Sequence, residues 1–202
     1  MQLAHSDPLA LQALPAWAAT WQPAVLWLAR AANRNTRRSY TAPVRGLMIS
    51  ARVPLPEVVE PHVLAYNVAL GDRGLAPRTI RHHIIVLGAF FGWAVARGHH
   101  PGPNPAAGVP LPGQPRGVAG IALDAAEVER LVAAATSPRD RALLRLLADG
   151  GLRAAEAVAL QERDVHLVGD VARIHVRRGK GGRPRDVEAG AGAAEDLRAY
   201  LE

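Results

Sequence analysis

Two short stretches of the sequence carry side chains with the chemistry to act on an anion such as a phosphate. In Gly150-Gly-Leu-Arg153 an arginine follows a glycine pair, with Glu156 three residues on. In Arg178-Gly-Lys-Gly-Gly-Arg-Pro-Arg185 a lysine sits in a glycine-rich turn. A guanidinium stays charged and presents planar, paired donors that match two oxygens of one phosphate. An ammonium can hand over a proton, which a guanidinium cannot usefully do. Lys180 is the single lysine beside 23 arginines. Where arginine is the default cation, a lone lysine marks either a place where arginine fails or chance. Glycines around it would let the turn approach a ligand closely. Glu156, one helical turn past Arg153, is placed to hold the guanidinium. Each feature also has an ordinary reading: a solvated cation at a helix start, a turn residue at a hairpin tip, an i,i+3 pair on a surface.

The chain that must position these groups has 202 residues, 49% of them hydrophobic, enough for one large or two small cores. Aromatics are only 4%, so Leu, Val, Ile and Ala must supply most of the packing. The absence of cysteine excludes disulfides and thiolate metal sites. No uninterrupted apolar run approaches the roughly 18–20 residues needed to cross a bilayer, and the first residues lack a signal-peptide pattern. The expectation is a cytoplasmic protein with no membrane partner. Net charge is +6 and unevenly placed. Residues 1–100 hold ten arginines and four acids, whereas residues 101–202 hold fourteen basic and fourteen acidic residues. A basic first half points to a polyanionic partner, DNA or RNA being the commonest, against the plainer alternative of a generally basic soluble protein.

Apolar periodicity predicts a helix or helix pair over 8–32, broken near Pro15 and Pro23, and a second helix over 35–51 that Pro43 kinks or restarts. A third spans 57–73, with Val59, Val63, Tyr66 and Leu70 on one stripe. A fourth spans 77–97, with Ile80, Ile84, Leu87, Phe91 and Val95. Residues 101–120 carry six prolines and five glycines, the composition of an extended, semi-rigid linker, and mark a domain boundary. Beyond it, Asp124-Ala-Ala-Glu127 and Ser137-Pro138 read as helix starts. Gly150-Gly151 ends the second of these helices, and a short one follows over 153–160. The period then changes to that of strands, and 163–168, 171–178 and 184–188 read as a three-stranded antiparallel meander before a last helix from 193. The expected fold class is mostly α with a small antiparallel β-sheet, α+β.

Taken together, these pieces resemble the tyrosine site-specific recombinases of the Xer-like, phage integrase type. Leu146-Leu-Ala-Asp-Gly-Gly-Leu-Arg-Ala-Ala-Glu156 resembles that family's first catalytic box, and Arg178 to Val187 its hairpin turn with the catalytic lysine. Asn35 to Tyr40, Gly74 to Ile80, Phe90 to Gly98 and Asn104 to Val109 are similar to its helical core-binding domain and linker. The likeness covers roughly residues 33–190. It implies a SAM-like helical core-binding domain over 1–100, a linker over 101–120, and the N-terminal part of the catalytic domain over 121–202. It implies DNA cutting and rejoining through a 3′-phosphotyrosyl intermediate without metal or nucleotide cofactor. Arg153 and Lys180 would be catalytic and Glu156 supporting. Arg37, Arg38, Arg78 and Arg81 near helix starts, and Arg177, Arg178, Arg183 and Arg185 on the hairpin, are the candidate DNA contacts. Duplex DNA is the implied partner, with a homo-oligomer on DNA. The family's remaining boxes and its nucleophile follow the sheet, so the expectation is a chain truncated after the lysine hairpin and lacking the covalent step. His175-Val-Arg-Arg178 spells an H-x-x-R box on a strand before Lys180, and Tyr200 precedes the missing boxes; neither is assigned a role. The alternative is a non-catalytic DNA-binding protein, such as a truncated competitor at a recombination site.

Overall fold

The computed structural model describes residues 9, 11, 14–113 and 122–202, with the main chain alone at Lys180. Contacts divide the chain into two units, Met1–Val118 and Ala119–Glu202.

The first unit is helical. A 3-10 turn over Ala16–Trp21 runs into α1 (Gln22–Ala29), with Pro23 in the first turn, where a missing N–H costs nothing. α2 (Arg34–Ala51) starts at Asn33, whose side chain accepts the Asn35 N–H at 2.8 Å. It passes through Pro43 without a break. Proline leaves the carbonyl four residues back without its helical donor. Here that carbonyl belongs to Ser39, and Nε2 of His82, on another helix, lies 3.4 Å from it. α3 (Glu60–Asp72) and α4 (Pro77–Ala96) complete the unit.

Val44, Leu47 and Met48 of α2, Val63, Tyr66 and Leu70 of α3, and Ile80, Ile84, Leu87, Phe90 and Phe91 of α4 meet around Trp21 in one core. Burial of each such side chain stabilises by about 1.5–3 kcal/mol. Val59 departs from the expected stripe: it caps α3 from outside and is 51% exposed. α4 is long and apolar enough, by length and composition, to cross a membrane, yet its apolar side is the centre of this core. Tyr66 shares a hydrogen bond with Nδ1 of His83 at 2.9 Å. Burial pushes its hydroxyl up to about 12, against a lowering by Arg73. α2 approaches this hydroxyl so closely that a Cβ on Gly46 would overlap it.

The segment expected to be an extended, semi-rigid linker packs, as far as Pro110, on the first unit. Nε2 of the buried His100 lies 2.8 Å from the Val58 carbonyl, and its Nδ1 accepts the Gly102 N–H at 3.3 Å. Asn104 donates to the Gly88 carbonyl at 2.8 Å, and Asn67 to that of Pro110 at 3.2 Å. Ala106 and Val109 join the core. Proline and glycine prevent regular structure here, but side-chain amides and an imidazole satisfy the backbone that regular structure would have paired. Residues 114–120 of the expected linker lie outside the described residues.

The second unit is mixed. Asp124 and Glu127 exchange backbone and side-chain hydrogen bonds at 2.7 and 2.9 Å to open α5 (Ala125–Ala133). The Ser137 hydroxyl accepts the Asp140 N–H at 3.1 Å to open α6 (Pro138–Ala148). α7 (Ala154–Val158) and a 3-10 turn (Glu162–Asp164) lead to β1 (Val165–Val168), β2 (Val171–Val176) and β3 (Arg185–Ala189), then α8 (Ala191–Leu201). The sheet order is β1-β2-β3, antiparallel throughout, with Val168 facing Val171 and Val176 facing Arg185. This is the expected meander, with β2 ending at Val176 rather than at 178. Ala172, Ile174 and Val176 pack with Ala142, Leu146, Ala193, Ala194 and Leu197 in a second core. The opposite face carries cross-strand pairs, Arg173 with Glu188 at 3.0 Å and His175 with Asp186 at 2.6 Å. The fold is mostly α with a small antiparallel sheet.

Candidate active site and nucleic-acid interface

The turn out of α6 presents Arg153. At Gly150 a Cβ would lie 2.9 Å from the Leu146 carbonyl oxygen and 2.8 Å from the Leu152 side chain, and Gly151 has φ 56°. Only glycines make this turn without strain. Leu152 is buried beyond it, and Arg153 becomes the residue that opens α7.

Glu156 stands in the first turn of α7 with its side chain 4% exposed. Its carboxylate accepts the Arg153 backbone N–H at 2.9 Å and Nη1 of Arg153 at 2.8 Å. It also accepts Nη1 and Nη2 of Arg185, the first residue of β3, at 2.8 and 2.7 Å. The paired Arg185 bonds, then the Arg153 N–H, hold the Glu156 carboxyl well below the usual carboxylate range, and Arg185 is raised in turn. The pair is therefore not surface decoration. Arg153 itself is 57% exposed, and among the described residues only its Nη1 is engaged in a hydrogen bond or ion pair.

The hairpin between β2 and β3 is a closed loop. The Gly179 N–H donates to the Arg183 carbonyl at 2.9 Å, and the Gly182 N–H to the Gly179 carbonyl at 2.9 Å. Gly181 and Gly182 have φ 75° and 77°, which side chains rarely adopt. The main chain of Lys180 lies in this loop. Gly151, Arg153, Arg183, Pro184 and Arg185 line one depression of about 280 Å³, with no acid among the described residues of its wall. The glycine turn and the lysine hairpin thus meet at a single concave basic surface.

The other candidates separate into two groups. Arg177 turns onto buried Asp164, with Nε 3.0 Å from Oδ2, and Nη2 donates to the Ala159 carbonyl at 2.8 Å. Arg178 and Arg183 are exposed and form no ion pair among the described residues. On the first unit Arg37, Arg38 and Arg78 are exposed and Arg81 is half-buried. Arg37 donates to the Ala31 carbonyl at 3.0 Å. Among the described residues every ion pair lies in the second unit, so the arginines of the first unit face no carboxylate partner. His175 pairs with Asp186 on the outer sheet face. Tyr200, on α8, lines an apolar groove with Leu143, Val158 and Leu201 and not the Arg153 depression. Asp164 carries no motif and was invisible in the sequence; its role emerges only because β2 returns Arg177 to it.

Residues 122–202 match the phage integrase family. This places residues 122–202, in the second unit, in the phage integrase family. The matched stretch holds Arg153, Glu156 and the Lys180 hairpin. Tyrosine recombinase XerC of Xanthomonas campestris pv. campestris is 36% identical over 132 residues, which are 63% of this chain and 39% of that protein. Tyrosine recombinase XerD of Ralstonia nicotianae is 35% identical over 185 residues, 87% of this chain and 58% of that one. The chain thus spans between 39% and 58% of the length of these relatives. A lambda integrase (75–356) dimer bound to a COC′ core site shares its fold, with a TM-score of 0.71 at 18% identity, over 90% of this chain and 67% of that one.

Proposed function

We propose that this chain is part of a site-specific DNA recombinase that grips duplex DNA through its phosphates and carries two groups of the strand-cleavage site, Arg153 and Lys180. The observation that carries the reading is that Gly151 and Arg153 line one basic depression together with Arg183, Pro184 and Arg185, which follow Lys180 in the hairpin. In the step so implied, a tyrosine hydroxyl attacks the phosphorus and the bond to the 5′-oxygen breaks. Arg153 donates to the non-bridging oxygens, an effect worth on the order of 10²–10³ in rate. Lys180 gives its proton to the departing 5′-oxygen. Glu156 stays anionic and holds Arg153, so it does not serve as a base. Tyr200 is not assigned as the nucleophile.

On this reading residues 1–100 form the core-binding domain and 121–202 the beginning of the catalytic domain, joined through 101–120. The absence of carboxylate partners among the described residues around Arg37, Arg38, Arg78 and Arg81 supports their use as phosphate contacts, with Arg178 and Arg183 added from the hairpin. Copies assemble on the DNA, as the lambda integrase dimer does on its core site, and the protein works in the cytoplasm. Six phosphate contacts at about 0.9 each give a log–log salt slope near −5, so affinity for a duplex falls about 10³-fold between 50 and 200 mM salt. Fluorescence anisotropy with a labelled duplex measures this. A slope shallower than about −2, or no binding at low salt, overturns the proposal.

A further inference from the structure

Arg177 and Arg185 bracket the Lys180 turn, one just past the end of β2 and the other at the start of β3. We propose that they are positioning residues, a two-point clamp that fixes the Lys180 turn against the Arg153 helix and makes no phosphate contact. The inference rests on the roles of Arg153 and Lys180 given above.

Both guanidiniums are committed inward. Arg185 places two nitrogens on Glu156, the carboxylate that also holds Arg153. Arg177 places Nε on Asp164 and Nη2 on the last carbonyl before Leu160. Glu156 and Asp164 are both buried. A buried carboxylate stripped of its partner is strongly unfavourable, so neither arginine is free to swing out to DNA. The turn between them has little stiffness of its own. The ladder stops at the Val176–Arg185 pair, and residues 178–184 contain three glycines and two internal backbone hydrogen bonds. What locates the tip relative to α7 is therefore the clamp. Arg178 and Arg183, inside the clamp, are exposed and without ion pairs among the described residues, which leaves them to meet phosphate.

The test compares Arg185→Lys, Arg185→Gln and Arg177→Gln with Arg178→Gln and Arg183→Gln in the full chain, each first checked by its circular dichroism melt. Two quantities are read: hydrogen exchange of the Gly179 and Gly182 amides without DNA, and the salt slope of duplex affinity. The clamp predicts that the Arg185 and Arg177 variants exchange about tenfold faster or more at those two amides, with the β1–β2 ladder within about twofold of wild type and the salt slope unchanged. Lysine at 185 keeps the charge but loses the two-pronged grip, so it should behave as glutamine does, and it carries the test where the glutamine variant does not fold. Arg178→Gln and Arg183→Gln should each reduce the slope magnitude by about 0.9 and leave exchange unchanged. Unchanged exchange in the Arg185 and Arg177 variants, or a slope reduced by about 0.9 in either, overturns the clamp. So does an equal rise across the whole sheet, which marks general destabilisation. Should wild type itself fail to bind DNA, the recombinase reading falls, while the exchange measurement still decides the clamp.

Discussion

Replacing Gly179 by alanine isolates the closure of the lysine hairpin. The new Cβ would stand 2.6 Å from the Arg183 carbonyl oxygen and 2.9 Å from Nη1 of Arg185. The arginine end can give way, but the carbonyl is backbone and accepts the Gly179 N–H at 2.9 Å. Relieving the overlap means moving that carbonyl and losing the bond, a net cost of about 0.5–1.5 kcal/mol. Overpacking of this kind adds about 1–3 kcal/mol. The sum, about 1.5–4.5 kcal/mol, falls on the hairpin. In a unit of this size about 2 kcal/mol felt globally lowers Tm by about 8–16 °C, and fraying of the tip caps the loss nearer the lower figure. Gly190→Ala is the control, because nothing lies within 4 Å of a Cβ there and its φ is −74°. Gly190 caps α8, where alanine is the poorer residue, so that variant should lose no more than about 1 kcal/mol. Calorimetry of both variants, with hydrogen exchange at Gly182, makes the comparison. If Gly179→Ala melts like Gly190→Ala, the hairpin is not built on this close approach and the reasoning is wrong.

Three further outcomes follow from named contacts. The folded Glu156 carboxyl is held below its ordinary value near 4.5, so its stabilisation is fully present above that pH and drains away as pH falls through the folded value. Glu156→Gln should therefore destabilise the second unit at neutral pH and flatten its loss of Tm below about pH 4.5, and melts of the two proteins that run parallel from pH 6 to 2 would sink this. Gly46→Ala must displace the Tyr66 hydroxyl and its bond to His83; a loss of about 1–3 kcal/mol is expected in urea melts of the first unit, and none would mean that α2 and α3 can separate freely. Ser137→Ala removes the cap on α6 and should cost about 1 kcal/mol in the same assay applied to the second unit.

Which features were legible in the sequence follows from how local they are. The stripes of α2 and α4, the caps at Asp124 and Ser137, and the meander rest on neighbours within a few residues, and the fold contains them. Pro43 read as a kink or restart because the compensating His82 belongs to a different helix, 43 positions from Ser39. Residues 101–120 read as an extended, semi-rigid linker because composition records how proline and glycine forbid helices, not how His100 and Asn104 reach back to Val58 and Gly88. In the site, the spacing of Arg153 and Glu156 is a helical turn and was readable. The second partner of Glu156, Arg185, is 29 positions away and depends on sheet register. For the same reason four hairpin arginines looked alike in sequence and separate into two inward and two outward only in the fold.

Lys180 offers the most direct test of the central claim, that the hairpin lysine and Arg153 share one DNA phosphate. It is the only lysine in the chain, so selective ¹⁵N,¹³C-lysine labelling yields one side-chain signal. Titration with duplex DNA at low salt, with anisotropy run in parallel to confirm binding, should shift that signal in wild type and largely abolish the shift in Arg153→Ala. A lysine signal that stays unmoved while DNA binds, or that moves equally with and without Arg153, would contradict the account.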